Sequence, residues 1–151
     1  MYGAFVWARK ALNRPFRRFP ARAVAFGDHL SVSLWFQRDD TALGNYMGLV
    51  NNGYYTSAGF EIRMGREEGG TSLGGGVITE GHDETWDVSG LSAAVGVWHH
   101  VALVYDSDSV FFFVDGKQTT AEADHGDVVA RNTDVFIGQV RVSQTSGFSF
   151  F

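Results

Sequence analysis

The chain has 151 residues, with no cysteine and only 2 prolines. A chain without cysteine forms no disulfide, no thiolate zinc site and no cysteine nucleophile. The sequence also has no apolar run close to the roughly 20 residues that a transmembrane helix requires. The first apolar stretch, Tyr2–Trp7, is too short for the core of a signal peptide. The lack of cysteine therefore excludes disulfide scaffolds and thiol enzymes. The lack of a long apolar run predicts no membrane insertion, and the length predicts one domain.

Acidic residues are missing from the first part of the chain. Residues 1–22 carry six basic residues and no acid, whereas residues 23–151 carry the other six basic residues and all 17 acids. A basic leader can serve as a nucleic-acid arm. Here its basic residues are too sparse, and the acidic body would repel phosphate. We therefore predict no nucleic-acid partner.

Glycine and aromatic residues are abundant, with 19 Gly, 13 Phe, 5 Tyr and 4 Trp. This composition is typical of short strands joined by tight turns. In Leu30–Arg38 every second residue is apolar, and the residues between them form a second series. Such a period of two places one face of a strand in a core. The second series consists of Ser31, Ser33, Trp35 and Gln37.

Further strands follow the same reasoning. The second half of Val97–Tyr105 is apolar on both faces, which predicts a central strand covered on both sides. Asp115-Gly116 predicts a tight turn, and Glu80–Val95 is expected to be a long ordered loop with at most one short strand. The only helical candidate is Ala4–Asn13. The other predicted strands are Asn45–Val50, Gly59–Gly65, Gly74–Thr79, Val110–Val114, Lys117–Glu122 and Asp134–Val142. So many strands predict an all-β fold, a sandwich of two antiparallel sheets.

An ordered set of short motifs resembles the laminin G-like domain of the concanavalin A-like lectin/glucanase superfamily. The motifs are Ser31–Phe36, Trp98–Ala102, Tyr105-Asp106, Phe113–Lys117 and Phe136–Gly138. The resemblance covers roughly residues 23–150. It implies a jelly-roll sandwich that binds glycans or proteins, often on bacterial cell surfaces or in multidomain secreted proteins.

The ends of the chain depart from this family pattern. The family usually has a closing strand, and this chain stops at Gly147–Phe151, where that strand would begin. Gly3–Asn13 is similar to the missing strand. We therefore divide the chain into a basic leader, residues 1–22, and a sandwich, residues 23–151, that lacks its usual last strand. The leader is the end of a preceding repeat, a replacement closing strand with part of Ala4–Leu12 extended, or an unrelated amphipathic segment.

Catalytic patterns are absent from the sequence. Retaining glycosidases need two carboxylates about 5 Å apart, and no E-x-D-x-E strand motif supplies them. The nearest acids, Glu80, Asp83 and Glu84, lie in the expected loop. His99 and His100 are adjacent on a strand and point to opposite faces, so they cannot share one metal. We therefore predict that the domain is not an enzyme.

Glycan binding needs aromatic rings that stack on sugar faces and polar groups that bind hydroxyls. Two loop clusters fit this description, and the predicted ligand-binding residues are Asn51, Asn52, Tyr54, Tyr55, His82 and Trp86. The same rings could instead cover a hairpin and the end of the sandwich. Other aromatic residues are assigned to packing, namely Trp35, Trp98 and Phe111–Phe113.

Calcium is the one cofactor considered, because it prefers carboxylate and carbonyl oxygens on flexible loops. The candidate ligands are Asp83, Asp87, Asp124 and Asp127. The expectation is therefore either no cofactor or Ca²⁺ at one of these pairs.

The function predicted from these observations is a non-catalytic module that recognises a glycan or a protein surface. The resemblance implies an extracellular or cell-surface location. The alternatives are a purely structural spacer in a larger surface protein and a glucanase-like hydrolase. An open sheet edge would also allow association through edge strands.

Overall fold

A computed structural model describes residues 17–19, 26–38, 47–52, 58–64, 72–81, 87–129, 135–140 and 149–150. Every regular element in these ranges is a β-strand. The first six are β1 (Arg17–Phe19), β2 (His29–Gln37), β3 (Met47–Asn51), β4 (Gly59–Met64), β5 (Ser72–Ile78) and β6 (Asp87–Ser92). The rest are β7 (Trp98–Asp106), β8 (Ser109–Val114), β9 (Lys117–Ala123), β10 (Val135–Ile137), β11 (Gln139–Val140) and β12 (Ser149–Phe150).

The strands form two main antiparallel sheets. One has six strands in the order β1-β10-β3-β4-β5-β6, and the other has four in the order β2-β7-β8-β9. Strands β11 and β12 form a small separate pair. The sheets pack face to face around one hydrophobic core, which confirms the predicted jelly-roll sandwich.

The core is built from alternate residues of each strand. In β2 the buried residues are the apolar series that begins at Leu30 and ends at Phe36. In β7 the buried series runs from Val101 to Tyr105, and in β8 it includes Phe112. The period of two in the sequence therefore sets which side chains enter the core.

A glycine in β5 makes room for an aromatic ring. A Cβ atom at Gly75 would lie 3.0 Å from Phe112 Cε2 and 2.7 Å from the carbonyl oxygen of Glu61. Phe112 is fully buried, so its ring packs directly on the backbone of β5. The absence of a side chain at Gly75 thus sets the distance between the two sheets here.

The predicted Asp115-Gly116 turn is confirmed. Both residues have positive φ angles, 50° and 78°, as a two-residue type I′ hairpin turn requires. The turn joins β8 to β9. It also brings Asp115 next to the first residues of β7, since Asp115 N–H donates a hydrogen bond to His100 O at 2.8 Å.

The segment Glu80–Val95 contains one short strand, as the sequence allowed; this is β6, which has six residues and pairs with β5. One segment differs from the sequence-based expectation. The expected strand Asp134–Val142 is divided at Gly138, which has a φ angle of 76° and donates its N–H to Leu49 O. A residue with a positive φ angle interrupts a strand. The alternation of apolar and polar residues does not predict such an interruption.

The two ends of the chain both contribute strands to the described structure. Arg17–Phe19, inside the segment assigned to the basic leader, pairs with β10 and forms one edge of the larger sheet. Ser149–Phe150 pairs with Gln139–Val140. The helix or strand predicted over Ala4–Leu12 lies outside the described residues.

Candidate ligand-binding face

The outer face of the four-stranded sheet presents aromatic rings. Residues that alternate with the core series of β2, β7 and β8 point away from the sandwich, by the period of two. Cross-strand register places Trp35 opposite His100, Gln37 opposite Trp98 and Ala102 opposite Phe113. We call this surface the outer face. Its residues are Ser31, Ser33, Trp35 and Gln37 of β2, Trp98, His100, Ala102 and Val104 of β7, Phe111 and Phe113 of β8, and Gln118 of β9.

Trp35 is the most exposed ring on the outer face, with 46% of its surface accessible. Its indole packs on the imidazole of His100, with ring centroids 5.1 Å apart and planes tilted by 48°. A tryptophan in this position is fixed on one side by its neighbour and free on the other. It therefore offers a rigid, solvent-facing apolar surface at low entropic cost.

Trp98 and Gln37 extend the outer face beside Trp35. Trp98 is partly buried and occupies the position diagonal to Trp35, a separation of about 7–8 Å between Cα atoms. The Gln37 amide donates a hydrogen bond to Gly96 O at 2.6 Å. Gly96 N–H in turn donates to Arg38 O at 2.7 Å. These bonds hold the end of β2 in place.

A histidine and a carboxylate brace the strand beneath the outer face. His99 points to the opposite side from His100, as predicted, and its Nδ1 lies 2.9 Å from Asp115 Oδ2. Ala94 N–H donates to His99 Nε2 at 3.1 Å. Because Nε2 accepts, the proton is on Nδ1, which donates to Asp115. The His100 N–H donates to the other carboxylate oxygen, Oδ1, at 2.9 Å, so Asp115 fixes the start of β7.

These contacts lower the pKa of the Asp115 carboxyl. Burial alone would raise the pKa, but the hydrogen bonds from His100 N–H and from His99 outweigh it. A carboxyl with a depressed folded-state pKa stabilises the protein above its unfolded pKa. That contribution is lost as the pH falls through the folded value.

Asp115→Asn should therefore lower the free energy of unfolding by about 1 kcal/mol at neutral pH, since one of two hydrogen bonds is lost. Asparagine tolerates the positive φ angle of Asp115, so the turn is preserved. Urea unfolding of both proteins should show the difference at pH 7 and its disappearance well below about pH 4. A difference that persists at low pH would contradict the assigned role of the carboxylate.

The larger sheet has a different kind of polar cluster on its own outer side. Glu61 and Arg63 alternate with core residues of β4 and form an ion pair of 3.2 Å. Their side chains are only 1% and 6% exposed. Register places Asn51 opposite Glu61. Among the described side chains of this face Glu61 is the only carboxylate.

The structure places part of the loop site predicted from the sequence. Asn51 and Asn52 are both buried, and Asn52 N–H donates to Phe60 O at 2.9 Å. They lie at the end of β3, away from the outer face of the four-stranded sheet. The aromatic and histidine candidates, Tyr54, Tyr55, His82 and Trp86, lie outside the described residues, so that part of the site stays a prediction.

Two of the acids considered for calcium, Asp124 and Asp127, lie near a buried tyrosine. Burial raises the pKa of Tyr105 to about 12, and the charges of Asp124, Asp28, Asp108 and Asp127 add to this effect. The neutral Tyr105 hydroxyl donates to Gly126 O at 2.5 Å.

The carboxylate of Asp124 already has protein partners. It is buried, and its Oδ1 accepts hydrogen bonds from Thr79 Oγ1 at 2.8 Å and from His125 N–H at 2.7 Å. Asp127 is exposed. Within the described ranges no three candidate metal ligands come together. Asp83 lies outside those ranges, and for Asp87 only the backbone, in β6, is described.

The assignment of Trp35 to packing was wrong, although the sequence contained the signal. Trp35 belongs to the polar series of β2, with Ser33 and Gln37 as its neighbours on the same face. An aromatic residue in the polar series of an alternating strand faces away from the core. Trp98, Phe111 and Phe113 also belong to the outer face, where each of them is partly buried.

Comparison with protein families identifies the domain. A laminin G family model, described as the concanavalin A-like lectin/glucanases superfamily, matches residues 17–151. The chain belongs to this superfamily. The match begins at β1, so it includes the strand at the edge of the larger sheet. A comparison with curated protein sequences found no match.

Solved structures share this laminin G-like fold at low sequence identity. Domains LG4-5 of the mouse laminin alpha1 chain superpose with a TM-score of 0.66 and 11% identity, over 91% of this chain and 36% of that one. A SAP-like pentraxin from Limulus polyphemus gives 0.57 and 14%, over 94% and 65%. Domain 4 of AbnA, an extracellular GH43 arabinanase from Geobacillus stearothermophilus solved with arabinotriose, gives 0.55 and 19%, over 82% and 57%.

The chain spans between about a third and two thirds of the length of these structures. At such identities the likeness shows the fold alone. No helix in the described part of this laminin G-like domain is long and apolar enough to cross a membrane.

Proposed function

We propose that this laminin G-like domain is a non-catalytic recognition module that binds carbohydrate through the outer face of its four-stranded sheet. The observation that carries the proposal is the exposure of Trp35, held against His100 on a regular sheet. Sugar rings present flat apolar faces to such indoles, and Gln37 lies on the same face to meet hydroxyl groups. The superfamily description names lectins and glucanases, which both act on carbohydrate.

Two of the described carboxylates already have partners within the protein, which supports the non-catalytic part of the proposal. Glu61 is neutralised by its ion pair with Arg63, and Asp115 is bound by His99 and His100. The proposal needs no metal, and it places the domain outside the cell, where polysaccharides are encountered.

A glycan array followed by titration calorimetry tests this function. For the glycans that bind the wild type, Trp35→Ala should lower the affinity by about tenfold or more. This corresponds to a loss of roughly 1.4 kcal/mol of binding free energy. The free energy of unfolding should fall by only about 1 kcal/mol or less, since Trp35 is largely exposed. Trp35→Tyr should restore most of the affinity, because it keeps a ring.

Leu91→Ala is the matched control, because Leu91 is also 45% exposed but lies on β6 of the other sheet. It should bind like the wild type. Titrations with added calcium and with chelator should agree. Tyr54→Ala and Trp86→Ala belong in the same series, since a loss confined to these variants would move the site to the predicted loops. A domain that binds no glycan on the array would favour the structural spacer instead.

A further inference from the structure

We infer that the ligand is an uncharged polysaccharide, bound without a contribution from ionic attraction; the inference rests on the proposed function. It follows from the charge pattern of the outer face. Across the centre of this face the described side chains are aromatic, aliphatic, hydroxyl or amide groups, with His100 as the only titratable one among them.

The described charged side chains of this sheet lie at or next to the ends of the strands. Arg38 directly follows β2, Asp106 ends β7, and Lys117 begins β9 beside the turn. Asp115 is at the same turn, but both of its carboxylate oxygens are already engaged by His99 and by the His100 N–H. A sulfated or uronate-rich chain laid across the outer face would therefore find no lysine or arginine among the described central residues to replace the water around its charges.

The charge of the whole chain acts in the same direction. The formal net charge is −5, and residues 23–151 carry all 17 acids against six basic residues. A field of this sign repels anionic polymers at low salt. An uncharged polymer does not experience this repulsion, and stacking and hydrogen bonding supply its affinity instead.

The dimensions of the outer face suit an extended chain. Neighbouring strands are about 4.8 Å apart, so four strands span roughly 14 Å from Trp35 towards Gln118. Trp35 and Trp98 lie at diagonal positions near one side of this path, and Phe113 lies further along it. Several sugar rings in a row can therefore contact apolar surface, with the exposed Gln118 amide available for hydroxyls.

The test compares neutral with acidic polysaccharides on the intact domain. The neutral probes are arabinan, xylan and β-glucan, and the acidic probes are heparin, alginate and polygalacturonate. Each is titrated at about 0.05 M and about 0.5 M NaCl, a range over which the Debye length falls roughly threefold. Trp35→Ala and Leu91→Ala are measured beside the wild type.

We expect at least one neutral probe to bind, with less than about twofold change in affinity between the two salt concentrations. Trp35→Ala should lose that binding and Leu91→Ala should keep it. Preference for an acidic probe, or a tenfold fall in affinity at high salt, would overturn the inference. If that binding still required Trp35, the proposed function would stand. Failure of every polysaccharide, or binding of a protein ligand alone, would remove both.

Discussion

Arg63→Met is expected to lower the free energy of unfolding by about 3–5 kcal/mol. The reason is the burial of its partner, Glu61, whose side chain is only 1% exposed. Without the guanidinium, the Glu61 carboxylate either remains charged in a site away from water or takes up a proton. Both alternatives destabilise the folded state, and urea unfolding at pH 7 measures the sum.

Two further variants separate the ion pair from simple loss of volume. The double variant Glu61→Leu/Arg63→Met removes both charges and should recover much of the loss, because a buried pair replaced by apolar residues is often nearly neutral. Lys117→Met removes an exposed cation and should change stability by less than about 0.5 kcal/mol. A single variant that loses under about 1 kcal/mol would show that Glu61 has access to water.

Phe112→Ala should cost about 3–5 kcal/mol, the range for a large aromatic residue lost from a core. Phe112 is fully buried, and its ring lies on the glycine-lined backbone of β5 at Gly75. No side chain of β5 can move in at that point to fill the space, so a cavity remains. The melting temperature and the midpoint of urea unfolding should both fall.

The neighbouring phenylalanines provide the control, because they have the same chemistry on the opposite face of one strand. Phe111 and Phe113 are only partly buried, so alanine at either position should cost roughly 1–1.5 kcal/mol. Equal losses at all three positions would contradict the register of β8. A cost at Phe113 as large as that at Phe112 would also mean that the outer face is covered rather than open to ligand.

Much of the fold followed from local patterns. The alternation in Leu30–Arg38 predicted β2, and the Asp115-Gly116 pair predicted the hairpin between β8 and β9. These features are readable because each depends on a few residues and on backbone geometry. The opposite orientation of His99 and His100 was predicted for the same reason.

Packing between distant parts of the chain determined which side chains are buried, and the sequence pattern did not predict this. Glu61 and Arg63 occupy the polar series of β4 just as Trp35 occupies that of β2, yet the pair is buried and Trp35 is exposed. Alternation assigns a side chain to a face but does not say what covers that face. Likewise nothing local predicted that Asn51 would be buried beside Glu61, because that contact depends on the register between β3 and β4.

The sequence by itself determined the class of fold, most strand positions, the turn at Asp115 and the two faces of each central strand. Tertiary structure alone decided which of those faces meets solvent and which distant groups meet. The Asp115 carboxylate reaches His99 because the β8–β9 turn folds back onto β7. The physical reason is the separation along the chain of the residues involved. The alternation of apolar residues and the chemistry of turns depend on a few neighbouring residues, whereas burial and hydrogen bonding between strands depend on residues that are far apart in the chain.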